Sequence, residues 1–339
     1  MKAEYQARTM DPQKRTDLGQ VLPLATPFVV MVDPASHCNY RCRFCATGNR
    51  ELIAATGRYQ GPMDLGLFRK IVDDLQEFPE PIRVLRFYKE GEPLLNRHLP
   101  EMIRYARESD RVGRIDMTTN GSLFSPKLNE RLIAAGIDQI NISVNGVNDA
   151  QFLKYVRTRT RFSKYVENIR HLYAIRGKCE IYIKAIQENL SEEDQQRFLE
   201  IFGEIADRIF FEHISPAWPG FAFEEMPMNF TIGHYGQEVL ERKVCPYFFY
   251  LTVINSDGTV SLCVQDWARK LVIGDVREES LQKIWEGQRI TAHRLAHLEG
   301  RRKEDPTCAI CQVMSYGVLD NIDANADDIR KRLLARQTP

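Results

Sequence analysis

The 339-residue chain balances 46 Lys and Arg against 46 Asp and Glu, with 43% hydrophobic and 27% charged residues. Zero net charge removes the electrostatic case for nucleic acid as a main partner. No apolar run approaches the ~20 residues of a membrane span, and Met1 to Gln20 lack the apolar centre of a secretory signal. A cytoplasmic globular protein is expected, long enough for two domains or for one domain with an appendage.

Residues 1–27 read as a polar lead-in, too short for a folded domain of their own. Phe28–Val32 is a continuous apolar run, the pattern of a parallel strand buried on both faces. Asp64 caps a helix whose Phe68, Ile71, Val72 and Leu75 share one face. A strand at Ile82–Tyr88, a helix at Leu99–Glu108, a strand at Arg114–Thr119 and a helix at Ser125–Ala135, stopped by Gly136, follow. Strands at Gln139–Val144, Glu180–Ile186 and Arg208–Ile214 then alternate with helices at Phe162–Ile175 and Glu192–Ala206. Such strict alternation predicts an α/β fold with parallel strands. Six units rather than eight predict an open partial barrel over residues 28–215. Residues 216–244, with Pro216, Pro219, Gly220 and Pro227, read as an irregular connector. Residues 245–315 form a small cysteine-rich extension, and residues 316–339 a terminal helix patterned over Asp327–Ala335.

Directly after the first strand, Cys38, Cys42 and Cys45 form a C-x3-C-x2-C array, with Phe44 before the last cysteine. Three thiolates so spaced can grip three irons of a cubane iron–sulfur cluster and leave the fourth open to a small molecule. Zinc is the alternative, but a structural zinc takes four closed ligands, and His37 is badly placed to share a metal with its neighbour Cys38. The stretch resembles the signature of the radical S-adenosylmethionine (SAM) superfamily, including the aromatic at Phe44. The resemblance implies a TIM-like (β/α)6 partial barrel, in agreement with the count of units. It also implies a [4Fe–4S] cluster whose open iron chelates SAM and cleaves it to a 5′-deoxyadenosyl radical. A reducing partner such as flavodoxin or ferredoxin would supply the electron.

Chemistry on α/β barrels sits in the loops at the C-terminal ends of the strands, and the remaining motifs fall there. Lys89-Glu90-Gly91-Glu92-Pro93 resembles the family's Gly-Gly-Glu loop, which implies that Gly91 and Glu92 hold the methionine amino group of SAM. Glu90 replaces the first glycine and is expected to point toward substrate as a candidate catalytic residue. Thr119 and Asn120 end the third strand in a polar turn that also recurs in the superfamily. Ser143 and Asn145 stand where relatives read Ser-x-Asp-Gly, implying bonds to the ribose hydroxyls or carboxylate of SAM. Arg157 matches an arginine that pairs with the SAM carboxylate; a solvated surface arginine is the alternative. Lys184, Glu212 and His213 at the last two strand ends are candidate catalytic residues. The alternative for a His in an apolar strand is a structural role.

The tail carries Cys245, Cys263, Cys308 and Cys311. Asn255-Ser256-Asp257-Gly258 between Leu251–Ile254 and Thr259–Leu262 predicts a hairpin that brings Cys245 near Cys263. Cys308 and Cys311 approach across a helix at Leu281–His297. Four thiolates can close a tetrahedral zinc or fully ligate a second cubane, and the spacing does not choose. The array resembles the SPASM/twitch appendages of radical SAM enzymes. With no cysteine after Cys311, it is similar to the shorter, one-cluster twitch form. The resemblance implies an auxiliary [4Fe–4S] cluster that takes an electron from a small polyol, amino sugar or sugar nucleotide, as in twitch-bearing dehydrogenases. The alternatives are a redox-neutral epimerase, dehydratase or decarboxylase, or a peptide-modifying enzyme; residues 1–27 are expected to leave no room for a leader-peptide domain. Cys179 is expected to be a buried free thiol away from the active face.

Overall fold

The computed structural model describes residues 1–7, 15–216, 218–222, 228, 230–317 and 320–336. Parts of the expected lead-in, connector (Pro227 included) and terminal segment lie outside the described residues.

Ten strands form one sheet: β1 (Glu4–Tyr5), β2 (Val29–Val32), β3 (Ile82–Phe87), β4 (Val112–Thr119), β5 (Gln139–Ser143), β6 (Glu180–Ile186), β7 (Arg208–Glu212), β8 (Leu251–Ile254), β9 (Thr259–Ser261) and β10 (Val272–Asp275). Their order is β1-β7-β6-β5-β4-β3-β2-β8-β9-β10, with β2 through β7 parallel throughout. This is a TIM-like partial barrel of six β/α units with a C-terminal extension. Its strands read apolar because helices cover the outer face and packed side chains the inner one. The helix Leu65–Asp74 begins where the Asp64 carboxylate accepts the Leu67 N–H, and it buries Phe68, Ile71 and Val72. Burying each such side chain contributes about 1.5–3 kcal/mol. The Phe68 ring packs 5.5 Å from that of Phe87 on β3.

Six parallel strands that do not close leave two edges of unpaired backbone groups. The N-terminal segment covers one edge: β1 pairs with β7, Glu4 opposite Arg208. The tail covers the other: β8 runs parallel to β2 with Val29 opposite Leu251 and Val32 opposite Ile254. The sheet therefore crosses the expected boundary between barrel and extension. Two further differences from the sequence reading have local causes. The last barrel strand ends at Glu212 because the His213 and Ile214 N–H groups turn to His234 O (2.9 Å) and Glu188 Oε2 (3.0 Å). The single helix expected at 281–297 is two, Leu281–Glu286 and Gln288–Leu298, broken where Gly287 takes an extended ψ of 162°. No helix among the described residues is long and apolar enough to cross a membrane.

Candidate active site

The loop after β2 carries Cys38, Cys42 and Cys45 and is fastened by backbone groups rather than by its thiols. Arg41 N donates to Val156 O (2.9 Å), Arg43 N to Tyr155 O (3.1 Å), and Glu92 N to His37 O (3.0 Å). Burial, then Glu92, pushes the Cys38 thiol up to about 12. Burial pushes Cys42 well up, and the neighbouring Cys45 and Cys38 add to it. Gly91 lies where the loop after β3 crosses this one, and a Cβ there would run into the carbonyl oxygens of Ala35 and His37. Gly91→Ala is therefore expected to force the two loops apart, at a cost of about 1–3 kcal/mol or more. Thermal melting and anaerobic iron loading both check this; an unchanged melting temperature with full loading would refute it.

At the C-terminal ends of β3 to β7 lies a cavity of about 300 Å³. Phe44 and Cys45 reach it from the cysteine loop, Ser143 and Asn145 from β5, Lys184 from β6, and Glu212 and His213 from β7. Glu212 Oε2 accepts from Lys184 Nζ at 2.6 Å and faces His234 Nε2 at 3.1 Å. Burial pushes its carboxyl up, but Lys184 and His234 outweigh burial and hold it at about 2. This depressed value makes a stabilising contribution that is complete above the ordinary 4.5 and is lost as pH falls toward 2. Glu212 is thus ionised throughout the neutral range. His213 turns its Nδ1 to Glu188 Oε1 at 2.9 Å.

Sequence reasoning missed Thr118, Tyr88, His234, Tyr235, Tyr247 and Gln265 in the cavity wall. Tyr88 was within reach, since it follows the apolar run of β3. His234 and Tyr235 sit in an irregular segment with no periodicity to reveal them.

In the tail, Cys245, Cys263, Cys308 and Cys311 line one buried cavity together with Phe248, Leu271 and Met314. Burial raises Cys245 to about 12, and Cys263 well above its ordinary value with Cys245, Cys311 and Cys308 adding to it. Among the described residues no three His, Cys, Asp or Glu side chains are gathered tightly enough to hold a single metal ion.

The radical SAM superfamily profile matches residues 32–198, and the SPASM profile, an iron–sulfur cluster-binding domain, matches residues 245–312. The chain belongs to the radical SAM superfamily. Its cofactors are accordingly SAM, a [4Fe–4S] cluster and auxiliary iron–sulfur in the tail. A tungsten-containing aldehyde ferredoxin oxidoreductase cofactor-modifying protein from Pyrococcus furiosus is 23% identical over 317 residues, 82% of this chain and 85% of the relative. The crystal structure of BtrN in complex with AdoMet and 2-DOIA is 19% identical, with a TM-score of 0.54 over 87% of this chain and 97% of BtrN. That of Streptococcus suis SuiB bound to precursor peptide SuiA is 14% identical, with a TM-score of 0.62 over 88% of this chain and 72% of SuiB. At these identities the likeness to the solved structures is one of fold.

The residues of this radical SAM protein fit iron–sulfur ligation in a specific way. Two thiols accept the backbone N–H two residues on, Cys38 from Tyr40 and Cys263 from Gln265, each at 3.4 Å, and the backbone of Thr47, Tyr247 and Val313 acts in the same downward direction on Cys45, Cys245 and Cys311. Such donors favour thiolate, the form that binds metal. Asn120 Nδ2 adds a further donor, 3.8 Å from Cys38 Sγ.

The remaining candidate residues lie outside the cavity wall. Glu90 does not reach the cavity. It is buried in a charge cluster, paired with Arg58 and with Lys89 Nζ at 2.6 Å, with Arg269 Nη2 at 3.6 Å. A carboxylate in so dry a place is tolerable only among counter-charges, so this one faces inward. Glu92 also turns inward, accepting from Leu94 N (3.1 Å), Thr119 Oγ1 (2.5 Å) and Asn120 N (2.7 Å). Burial pushes it up to about 7 against those donors. Thr119 and Asn120 are likewise absent from the cavity wall. Arg157 is exposed, in left-handed backbone (φ 52°) at the end of the helix Asp149–Val156. Cys179 is buried at the N-terminal end of β6, opposite the cavity end of the strand.

Proposed function

We propose that this radical SAM enzyme oxidises a small hydroxyl-bearing substrate, a polyol, amino sugar or sugar nucleotide, by two electrons. The observation that carries the reading is a shared wall: Gln265 and Val313 line both the active-site cavity and the cysteine-lined cavity of the tail. When bound, the first cluster with SAM supplies a 5′-deoxyadenosyl radical that takes a hydrogen atom from a C–H bond, and the tail cluster supplies a one-electron acceptor. Cys38, Cys42 and Cys45 hold the first cluster in this proposal, and Cys245, Cys263, Cys308 and Cys311 the second. Ser143 and Asn145 hold SAM.

Glu212, kept ionised by Lys184 and His234, accepts the substrate hydroxyl and receives its proton as the carbonyl forms. One hydrogen atom, one proton and one electron then make up the two-electron oxidation. Tyr88, Trp218, Tyr235 and Tyr247 line the space and keep water from the radical. A flavodoxin or ferredoxin donor and a cytoplasmic setting belong to the same proposal.

The test is anaerobic incubation of the reconstituted protein with SAM, reductant and a panel of aminocyclitols, amino sugars and sugar nucleotides. The expected product is two hydrogens lighter than its substrate and forms together with 5′-deoxyadenosine. Glu212→Gln should keep its iron but slow that product by about 10²- to 10⁴-fold, the range for losing a positioned proton acceptor. A Gln variant with the parent's rate would remove Glu212 from the reaction.

A further inference from the structure

His297 lies in the helix Gln288–Leu298 and is 2% exposed. Its ring stands edge-on to Phe248, with centroids 4.7 Å apart and planes at 88°. Nδ1 faces the backbone N–H of Cys245 at 3.3 Å and accepts from it. A ring nitrogen that accepts an N–H carries no proton of its own, so the proton of this imidazole sits on Nε2. That Nε2–H is out of solvent and meets no acceptor among the described residues. An orphaned buried donor is costly and calls for a partner that the described residues do not provide.

The ring lines the cavity walled by the four tail cysteines. Two charged side chains there are engaged with backbone, and Gln265 Oε1 in the same wall is buried without a partner of its own. The Asp266 carboxylate accepts from Lys270 N (2.8 Å) and Leu271 N (2.9 Å), and Arg302 donates to the carbonyls of Cys308 and Cys311. His297 also borders a surface groove with Arg302, yet Nε2 itself is closed off from water. Two unpartnered polar atoms in one wall, His297 Nε2 and Gln265 Oε1, point to an occupant of the cysteine-lined space as the partner the ring lacks.

We propose that His297 Nε2–H donates a hydrogen bond to a sulfur of the auxiliary iron–sulfur cluster, an inference that rests on the four tail cysteines holding that cluster. An N–H dipole aimed at sulfur stabilises the more negative, reduced state and so raises the reduction potential. His297 touches no substrate in this role. It tunes the acceptor for the electron that leaves the substrate.

The test uses the full-length chain carrying Cys38→Ala, Cys42→Ala and Cys45→Ala, so that the tail holds the remaining iron. Midpoint potential is followed by electron paramagnetic resonance, and nitrogen coupling is read with ¹⁵N-labelled histidine. His297→Phe should retain the tail iron and shift the potential negative by about 60 mV, which corresponds to a tenfold change for one electron. His297→Gln, whose amide can offer an N–H in the same place, should restore most of that shift. The parent should show a weak ¹⁵N coupling of hydrogen-bond size. An unchanged potential in His297→Phe at full iron content overturns the inference, as does a coupling strong enough for direct iron ligation. If His297→Phe fails to hold the cluster, the ¹⁵N coupling in the parent and the potential of His297→Gln decide. Absence of iron from the tail of the parent overturns the cluster assignment itself, and iron analysis reveals that before any potential is read.

Discussion

A chain carrying Cys38→Ala, Cys42→Ala and Cys45→Ala is expected to hold about half the iron of its parent and to cleave no SAM. The parent should reconstitute with about eight irons, two cubane clusters by stoichiometry, and the variant with about four. The arithmetic rests on seven cysteines divided between two places, three in the loop after β2 and four around the tail cavity. Removing the loop thiols should not unfold the loop, because it is held by backbone bonds such as Arg41 N to Val156 O and Glu92 N to His37 O. Circular dichroism should therefore match the parent. A variant that loses all its iron would show that the tail cannot hold a cluster alone. One that keeps all of it would remove the loop cysteines from ligation.

The reciprocal variant, Cys308→Ala with Cys311→Ala, should separate hydrogen abstraction from oxidation. It keeps the first site whole, so 5′-deoxyadenosine should still form, while the product two hydrogens lighter falls to background. The reason is spatial. Val313 follows Cys311 by two residues and walls the substrate cavity, and Gln265 does the same two residues after Cys263. An electron leaving substrate thus has the tail cysteines as its neighbours. Without an acceptor there, the substrate radical is quenched and substrate returns, carrying deuterium from D2O wherever the quenching donor is exchangeable. In the parent, an isomer of the substrate carrying one deuterium would identify a redox-neutral epimerase and overturn the dehydrogenase reading.

Both variants act on residues that local spacing reveals. Ligands of one metal centre cluster along the chain because a short loop closes around it at small entropic cost. The C-x3-C-x2-C array and the Cys308–Cys311 pair are therefore visible without a fold. The buried strands are visible for a similar reason: an apolar run between capped amphipathic helices states its own burial, as at Phe28–Val32 followed by the Asp64-capped helix. Lys184 and Glu212 could be placed at the cavity because a strand fixes which end of its sequence meets the loops.

What the sequence left open were groups whose partners come from far along the chain. Glu90 reads as a substrate contact until Arg58 and Arg269 close around it from other segments, since the direction of a buried charge is set by where its counter-charges arrive. His234 carries no periodic signal, and becomes part of the site only because its segment lies across the end of β7 and brings the ring to Glu212. The pairing of β8 with β2 is decided by the free edge of an open barrel, and an edge exists only once the other strands have assembled. The sequence by itself determined which residues can bind metal and which strands are buried, because spacing and periodicity are local. Tertiary structure alone decided which polar groups join those strand ends at the cavity, as His234 does, and which turn away, as Glu90 does, because that depends on side chains and edges that meet only in the folded chain.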